Sequence, residues 1–162
     1  MFKKISTVFM VFCMIFCFTA CGSSSFEDKG DYISGNKWEG TDGSLIELNS
    51  DGTHKFYKNS GDLSDNYYKG DYTVLNGQQA IDYLSNEHGL PEDAQRQIMS
   101  QYGVEDKYYY VLTLNNKECI VEGKNTLGEA SKLDYFGYYS PTDQHLNFKS
   151  LKTMVQMDFY KK

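Results

Sequence analysis

The cysteine at position 21 is the residue of this sequence whose setting most clearly predicts a chemical reaction. Lys3 and Lys4 are followed by an apolar run that ends in the small residues Thr19 and Ala20, directly before Cys21. A basic start, an apolar stretch and small residues at its end are typical of an export signal that is cleaved. Cleavage after Ala20 would leave the thiol of Cys21 at the new N-terminus.

The residues Phe18, Thr19, Ala20 and Cys21 resemble the lipobox of bacterial lipoproteins, with Phe18 where that family usually has Leu. The resemblance implies that residues 1–20 are a signal peptide and that Cys21 receives a diacylglycerol by thioether. Two acyl chains hold a protein on a membrane durably, whereas one chain gives marginal attachment. We therefore expect a lipid-anchored protein on the extracytoplasmic face of the cell membrane.

The alternative for this segment is an uncleaved transmembrane helix. Residues 5–20 make sixteen positions, which span roughly 24 Å in a helix at about 1.5 Å per residue. The hydrocarbon core of a bilayer is about 30 Å thick, so the run is short for a span. The length favours the signal peptide.

The charge of the chain bears on its partners. The sequence has 16 basic and 22 acidic residues, a formal charge of −6, and loss of Lys3 and Lys4 with the signal brings this to −8. Nucleic acid phosphates need clusters of Lys and Arg, which this sequence lacks, so we expect no nucleic-acid partner. The membrane contact is then made by the lipid on Cys21 and not by surface charge.

One thiol remains after processing. Cys13 and Cys17 lie within the signal, so Cys119 has no intramolecular partner once Cys21 carries lipid. Its neighbours Ile120 and Val121 indicate a small buried apolar residue. A nucleophilic role would need a nearby base, and the sequence indicates none.

Residues 21–36 are polar and predict a flexible tether, and residues 37–162 predict one domain of short strands. Asp51 and Gly52 join two strand-like runs and indicate a hairpin. Gly70 inside a strand predicts a bulge or bend. We expect Asn115 and Asn116 to form a turn that divides residues 107–121 into two strands.

Residues 77–103 predict a two-helix insertion. The first helix has Asn76 as its cap, Gly89 as its end, and a buried stripe of Ala80, Ile81 and Leu84. The second begins at Pro91 and ends at Gly103. Its predicted buried stripe is Ala94, Ile98 and Tyr102.

Eight or nine hairpin-linked strands favour a closed antiparallel barrel, because closure leaves no exposed edge. Trp38, the residues 43–53 and the run Gly-Asp-Tyr-Thr-Val at 70–74 resemble the lipocalin-like small barrels of secreted Gram-positive lipoproteins. The resemblance covers about residues 35–160, with Gly35 to Trp38 one residue longer than the Gly-x-Trp of true lipocalins. It implies a mainly β fold and supplies no catalytic residues.

Several residue types could carry further chemistry. Tyrosines, many of them consecutive, indicate either a surface for a sugar, peptide or lipid or ordinary half-buried strand positions. Consecutive tyrosines on a strand must face opposite sides.

His54, His88 and His145 lack metal-ligand spacing, and we expect His54 and His145 to be exposed. The loop at 62–66 has oxygen ligands for calcium without the order of an EF-hand, so a solvated loop is favoured.

These observations leave three classes of function. The favoured one is a monomeric, non-catalytic module without metal or cofactor that binds a small apolar or aromatic ligand or an envelope component. The alternative is a protein-interaction or inhibitor module with a filled barrel that acts through its surface or the helical insertion. A hydrolase is the third, and it requires His145 and an Asp to meet a nucleophile in a cleft.

Overall fold

The alternation of inward and outward side chains along the strands determines the architecture. The computed structural model describes residues 31–162, so the predicted signal peptide, the lipidation site Cys21 and the tether as far as residue 30 lie outside the described residues. The elements are β1 (Asn36–Gly40), β2 (Leu45–Leu48), β3 (Thr53–Tyr57), β4 (Tyr67–Asn76), α1 (Gln78–His88), α2 (Glu92–Gln101), β5 (Tyr109–Val121), β6 (Lys124–Asn125), β7 (Lys132–Ser140), β8 (His145–Ser150) and β9 (Gln156–Lys161).

Eight strands close into a barrel in which every neighbouring pair is antiparallel. The order around the barrel is β1, β2, β3, β4, β5, β7, β8 and β9, and β9 pairs with β1 to complete the ring. The short β6 pairs with the end of β5 outside the ring. The structure confirms the predicted mainly β, lipocalin-like antiparallel barrel with a two-helix insertion.

Large apolar side chains fill most of the barrel. The fully buried members of this core come from every side of the ring, and they include Trp38, Ile46, Leu112, Leu146, Phe148 and Phe159. Ile33 is 1 % exposed and packs in the same core, and its carbonyl accepts a hydrogen bond from Trp38 Nε1 at 3.0 Å. The folded domain therefore begins before residue 37, and the predicted tether boundary at residue 36 is too late, because Ile33 is needed in the core.

Consecutive tyrosines face opposite sides of the barrel wall, as predicted. Tyr110 lies inside the barrel and donates from its hydroxyl to the carbonyl of Asn147 at 2.8 Å. Tyr109 points outward and is covered by the helices. Burial raises the pKa of both phenols well above their ordinary value.

The contact between β4 and β5 confirms the predicted bulge and corrects the predicted turn. The register of the pair shifts between Lys69 and Gly70. A Cβ added at Gly70 would collide with the carbonyl of Asn115, so the glycine permits this close approach. The turn expected at Asn115 and Asn116 is wrong, since β5 runs through both residues as one strand of 13 residues. The side chain of Asn115 is exposed, and that of Asn116 bonds to His54 and to the carbonyl of Ala130.

Helix α1 packs on the outer face of β4 and β5 through its predicted stripe. Ala80, Ile81 and Leu84 are fully buried there, and Gly89 ends the helix with φ 66° as expected. The predicted cap is wrong, because Asn76 is still paired with β5 and the N-cap position is occupied by Gly77 without a side-chain bond.

The predicted buried stripe of α2 is also wrong. Ile98 and Tyr102 are 52 % and 63 % exposed, whereas Gln95 and Met99 are buried. The amide of Gln95 explains the rotation, because its Nε2 donates to the carbonyls of Ile81 at 3.2 Å and of Leu90 at 2.8 Å. These bonds tie α2 to α1 and to the loop between them, and leave the apolar stripe facing outward.

Candidate functional site

One end of the barrel opens into a cavity. Because the strands alternate in direction, the connections at 41–44, 58–66, 122–131 and 151–155 all lie at this end, which we call the mouth. The cavity at the mouth has a volume of about 360 Å³. At the opposite end Ile33 packs into the barrel core. The open cavity therefore lies at the mouth, and the filled core lies beneath it.

The mouth cavity has apolar walls and a polar rim. Its aromatic and aliphatic walls are built by strand ends of β3, β4 and β5, and consist of Phe56, Tyr67, Tyr68, Cys119, Ile120 and Val121. Its polar groups come from strand ends and loops, and they are Asp42, Ser44, Lys58 and Asn66. This division is typical of small-molecule sites, in which apolar surface supplies affinity and a few polar groups fix orientation.

Tyr68 and Cys119 lie directly opposite each other on β4 and β5. Cys119 is 4 % exposed, which confirms the predicted burial, and its Sγ is 3.5 Å from the hydroxyl oxygen of Thr126. Burial raises the pKa of the Tyr68 phenol, and the neighbouring Cys119 raises it further. The phenol is therefore neutral at physiological pH and lines the cavity beside the thiol of Cys119.

Asp42 supplies a negative charge at the rim. Burial alone would raise the pKa of its carboxyl, but the hydroxyl and the backbone amide of Ser44 donate to Oδ1 at 2.6 and 3.0 Å and hold the pKa below its ordinary value. Lys58 contributes a positive charge to the same rim. The mouth thus offers both signs of charge beside an aromatic wall.

The loop that we considered for calcium borders this mouth. Asp62 and Asp65 line a polar cavity of about 390 Å³ that shares Asp42 and Lys58 with the mouth cavity. The carboxylate of Asp62 accepts from the backbone amide and hydroxyl of Ser64 at 3.1 and 2.7 Å, so it stabilises its own turn. Within residues 31–162 no group of three or more His, Cys, Asp or Glu residues is arranged to hold a metal ion.

A polar pair lies one layer deeper than the mouth cavity. His54 and Asn116 are buried inside the barrel, and His54 Nε2 is 2.8 Å from Asn116 Oδ1. The amide nitrogen of Asn116 donates to the carbonyl of Ala130, which leaves Oδ1 as the acceptor for the ring. The expectation that His54 is exposed is wrong, because β3 directs it inward opposite Gly70, where the missing side chain leaves room.

His145 and an aspartate do meet, on the outer face of the barrel. His145 Nε2 and Asn147 Nδ2 each lie 2.9 Å from Asp158 Oδ1. Burial raises the pKa of Asp158, but these two hydrogen bonds lower it, and the net effect is a decrease. The nearby hydroxyl of Ser140 donates to Asp143 at 3.1 Å instead of to the imidazole. This geometry orients the imidazole against the carboxylate without activating a nucleophile.

The tyrosines divide among three environments. Those at the mouth are Tyr67 and Tyr68, those in the core include Tyr110 and Tyr135, and those in a second cleft at the opposite end are Tyr102, Tyr108, Tyr138 and Tyr139. The tyrosines therefore include both cavity-lining positions and ordinary buried strand positions. Burial raises the pKa of Tyr135 to about 12, as expected for a core residue.

Sequence reasoning did not identify the residues of the mouth cavity. Phe56, Tyr68 and Cys119 are separated in the chain and come together only through the pairing of β3, β4 and β5. The alternation of the strands indicates which side chains point inward. It does not indicate how deep each one lies, so the difference between filled core and open mouth had no signal in the sequence.

Comparison with protein-family models, with curated proteins and with solved structures gives no significant match. Within residues 31–162 neither helix has the length and apolar character needed to cross a membrane.

Proposed function

We infer that this protein is a lipid-anchored extracytoplasmic binding module that holds a small molecule with an apolar or aromatic body at the barrel mouth. The mouth cavity carries this proposal. Its volume of about 360 Å³ lies in the range of ligand sites, and its walls combine Phe56, Tyr68 and Cys119 with polar groups at the rim. The filled barrel core beneath restricts the ligand to the mouth.

The experiment uses substitutions at the rim. Val121 lines the cavity and is 42 % exposed, so Val121→Trp fills the mouth without entering the core. Val155 is 58 % exposed and lies outside the cavity lining, so Val155→Trp is the matched control. With anilinonaphthalene sulfonate as an aromatic probe, we expect Val121→Trp to bind about ten-fold more weakly, or ~1.4 kcal/mol. Val155→Trp should bind like the wild type.

Equal binding of the probe by all three proteins would contradict the mouth as the ligand site. Loss of binding by Val155→Trp as well would also contradict it, because this substitution does not touch the cavity. Thermal unfolding of each variant shows whether the barrel is intact before binding is compared.

The anchor needs a separate experiment, since Cys21 lies outside the described residues. The residues before Cys21 support lipidation, which a labelled fatty acid supplied to cells would detect. We expect label on the wild type and none on Cys21→Ala, with the variant released from the membrane fraction. Label on both proteins, or on neither, would contradict the anchor.

The alternative, a protein-interaction or inhibitor module, is favoured by one observation. The stripe of α2 at Ala94, Ile98 and Tyr102 faces solvent, and Met154 near it is 50 % exposed. Exposed apolar surface of this kind marks interaction sites when it is contiguous. A photo-crosslinking residue at Ile98 should capture an envelope protein in cells, and one at the exposed Glu87 should not. Capture from neither position would argue against this alternative.

A further inference from the structure

A second cleft lies at the end of the barrel opposite the mouth. It runs between the chain that follows α2 and the turn between β7 and β8, and its volume is about 290 Å³. The mouth cavity shares none of its lining residues. Any ligand of this cleft is therefore independent of the ligand proposed for the mouth.

Four tyrosines form the walls of the cleft. Tyr102 is stacked on Tyr138 with ring centroids 5.4 Å apart, and Tyr108 meets Tyr139 edge-on at 6.0 Å. The ring of Tyr32 packs against the second pair, 4.8 Å from Tyr108 and 5.8 Å from Tyr139. All four side chains are at least partly exposed, with Tyr102 the most exposed. The face of an aromatic ring carries negative potential and attracts a cation within about 6 Å. Tyr102 is stacked on one side only and is 63 % exposed, so its ring offers a face to a positively charged organic group.

The charged residues of the cleft have the complementary sign. The carboxylates of Glu105 and Asp143 line it, and no Lys or Arg of residues 31–162 does. His145 also lines the cleft, and its Nε2 lies 2.9 Å from Asp158 Oδ1. Lys107 lies just outside, where its Nζ is 3.2 Å from Glu105 and 4.9 Å from the centroid of the Tyr108 ring. This lysine shows that a cation can be accommodated at the aromatic rings, and it also neutralises part of the charge of Glu105.

An apolar groove continues from the cleft along α2. The two share Tyr102 and Tyr138, and the groove is lined further on by Ile98, Phe136 and Met154, with a volume of about 190 Å³. The outward rotation of the α2 stripe is what builds this groove. An alkyl substituent on the cation can lie there and bury its surface.

We propose that the tyrosine cleft binds an organic ammonium ion, whose charged head lies among the tyrosines and carboxylates and whose alkyl chain extends along α2. The ring faces and carboxylates recognise the head, and the groove recognises the chain. A quaternary ammonium suits this site because it is large, weakly hydrated and dependent on ring faces for recognition. The site needs no covalent chemistry.

The experiment uses the full lipid-anchored protein in a non-ionic detergent, with its tyrosine rings isotopically labelled for NMR. The probes are butyltrimethylammonium, tetramethylammonium and butyl sulfate. We expect the first to shift the resonances of Tyr102 and Tyr138 at the lowest concentration and the second to do so more weakly. Butyl sulfate has the same chain with a negative head, and should leave these resonances unchanged.

Substitutions in and near the cleft should change the affinity for the cation in both directions. Tyr102→Ala and Asp143→Asn should each weaken binding of butyltrimethylammonium about three-fold or more. Lys107→Gln should strengthen it, because Glu105 then faces the cleft without its partner. Glu87→Gln removes an exposed carboxylate of α1 that is absent from the cleft lining, and should change nothing.

The proposal is overturned if butyl sulfate shifts the same tyrosines as strongly as the cation, or if neither cation shifts them. It is also overturned if Glu87→Gln weakens binding as much as Asp143→Asn, because the effect would then be one of overall charge. Stronger binding of the cation by Lys107→Gln cannot result from unfolding, so this result would support the site directly. Val121→Trp should leave cation binding unchanged, which separates this site from the mouth.

Discussion

His54 Nε2 and Asn116 Oδ1 lie 2.8 Å apart inside the barrel, although 62 positions separate the two residues in the chain. The bond joins β3 to β5 across β4, where Gly70 lies between them in the register. It separates the open mouth from the apolar core beneath. A buried polar pair is stable when both partners are bonded and costly when one is lost.

Removal of one residue of the His54–Asn116 pair should therefore lower the free energy of unfolding substantially. Asn116→Ala leaves the buried ring of His54 without its hydrogen bond and opens a small void, and we expect a loss of about 2–4 kcal/mol in the free energy of unfolding. Asn115→Ala, on the exposed side of the same strand, should cost less than about 0.5 kcal/mol. Chemical denaturation measures both. Equal losses would show that the pair does not stabilise the barrel.

The same histidine predicts a pH dependence of stability. Burial lowers the pKa of His54 below 6.5, and the bond to Asn116 opposes this only in part. The unfolded chain then binds a proton that the folded barrel does not, so the free energy of unfolding should fall as pH decreases through and below 6.5. The slope is at most about 1.4 kcal/mol per pH unit.

His54→Gln provides the comparison, since its amide can still bond to Asn116 and does not titrate. Denaturation at several pH values between 7.5 and 5.5 should show a weaker pH dependence for His54→Gln than for the wild type. The same dependence in both proteins would assign the effect to other groups.

The crossing of β4 and β5 depends on a glycine. Gly70→Ala would place a Cβ against the backbone of Asn115, which cannot move aside as a side chain can. We expect a loss of about 3 kcal/mol or more, or failure to fold. Gly61→Ala, whose added Cβ would meet only the side chain of Asn59 at 3.3 Å, should be nearly neutral. Thermal unfolding of the two variants compares them, and a tolerated Gly70→Ala would contradict the observed register.

The orientation of α2 can be tested by truncation of two adjacent side chains. Met99 is 2 % exposed and Ile98 is 52 % exposed, so Met99→Ala should cost about 2–5 kcal/mol and Ile98→Ala less than about 1 kcal/mol. Urea denaturation gives both values. If Ile98→Ala were the more harmful, the predicted stripe would be the buried one after all.

Local sequence signals predicted those features that depend on neighbouring residues. The alternation of the strands, the hairpin at Asp51 and Gly52, the bulge at Gly70 and the end of α1 at Gly89 are all present. Each of them is determined by backbone geometry or by a repeating pattern over a few residues.

The features that failed depend on contacts between distant segments. Asn115 and Asn116 have the composition of a turn, but pairing with β4 and the bond to His54 keep them in a strand. The stripe of α2 is apolar, yet the bonds of Gln95 to α1 and its loop outweigh that pattern. The mouth cavity and the tyrosine cleft likewise form only when separate strands and loops meet, so no local sequence pattern predicts them.

Native mass spectrometry of the protein purified from its own host tests the central claim, that the barrel mouth holds a small molecule, most directly. We expect the wild type and Val155→Trp to carry an additional mass that collisional activation releases, and Val121→Trp to lack it. If Val121→Trp retained every additional mass found on the wild type, or if the wild type carried none, the claim would be contradicted.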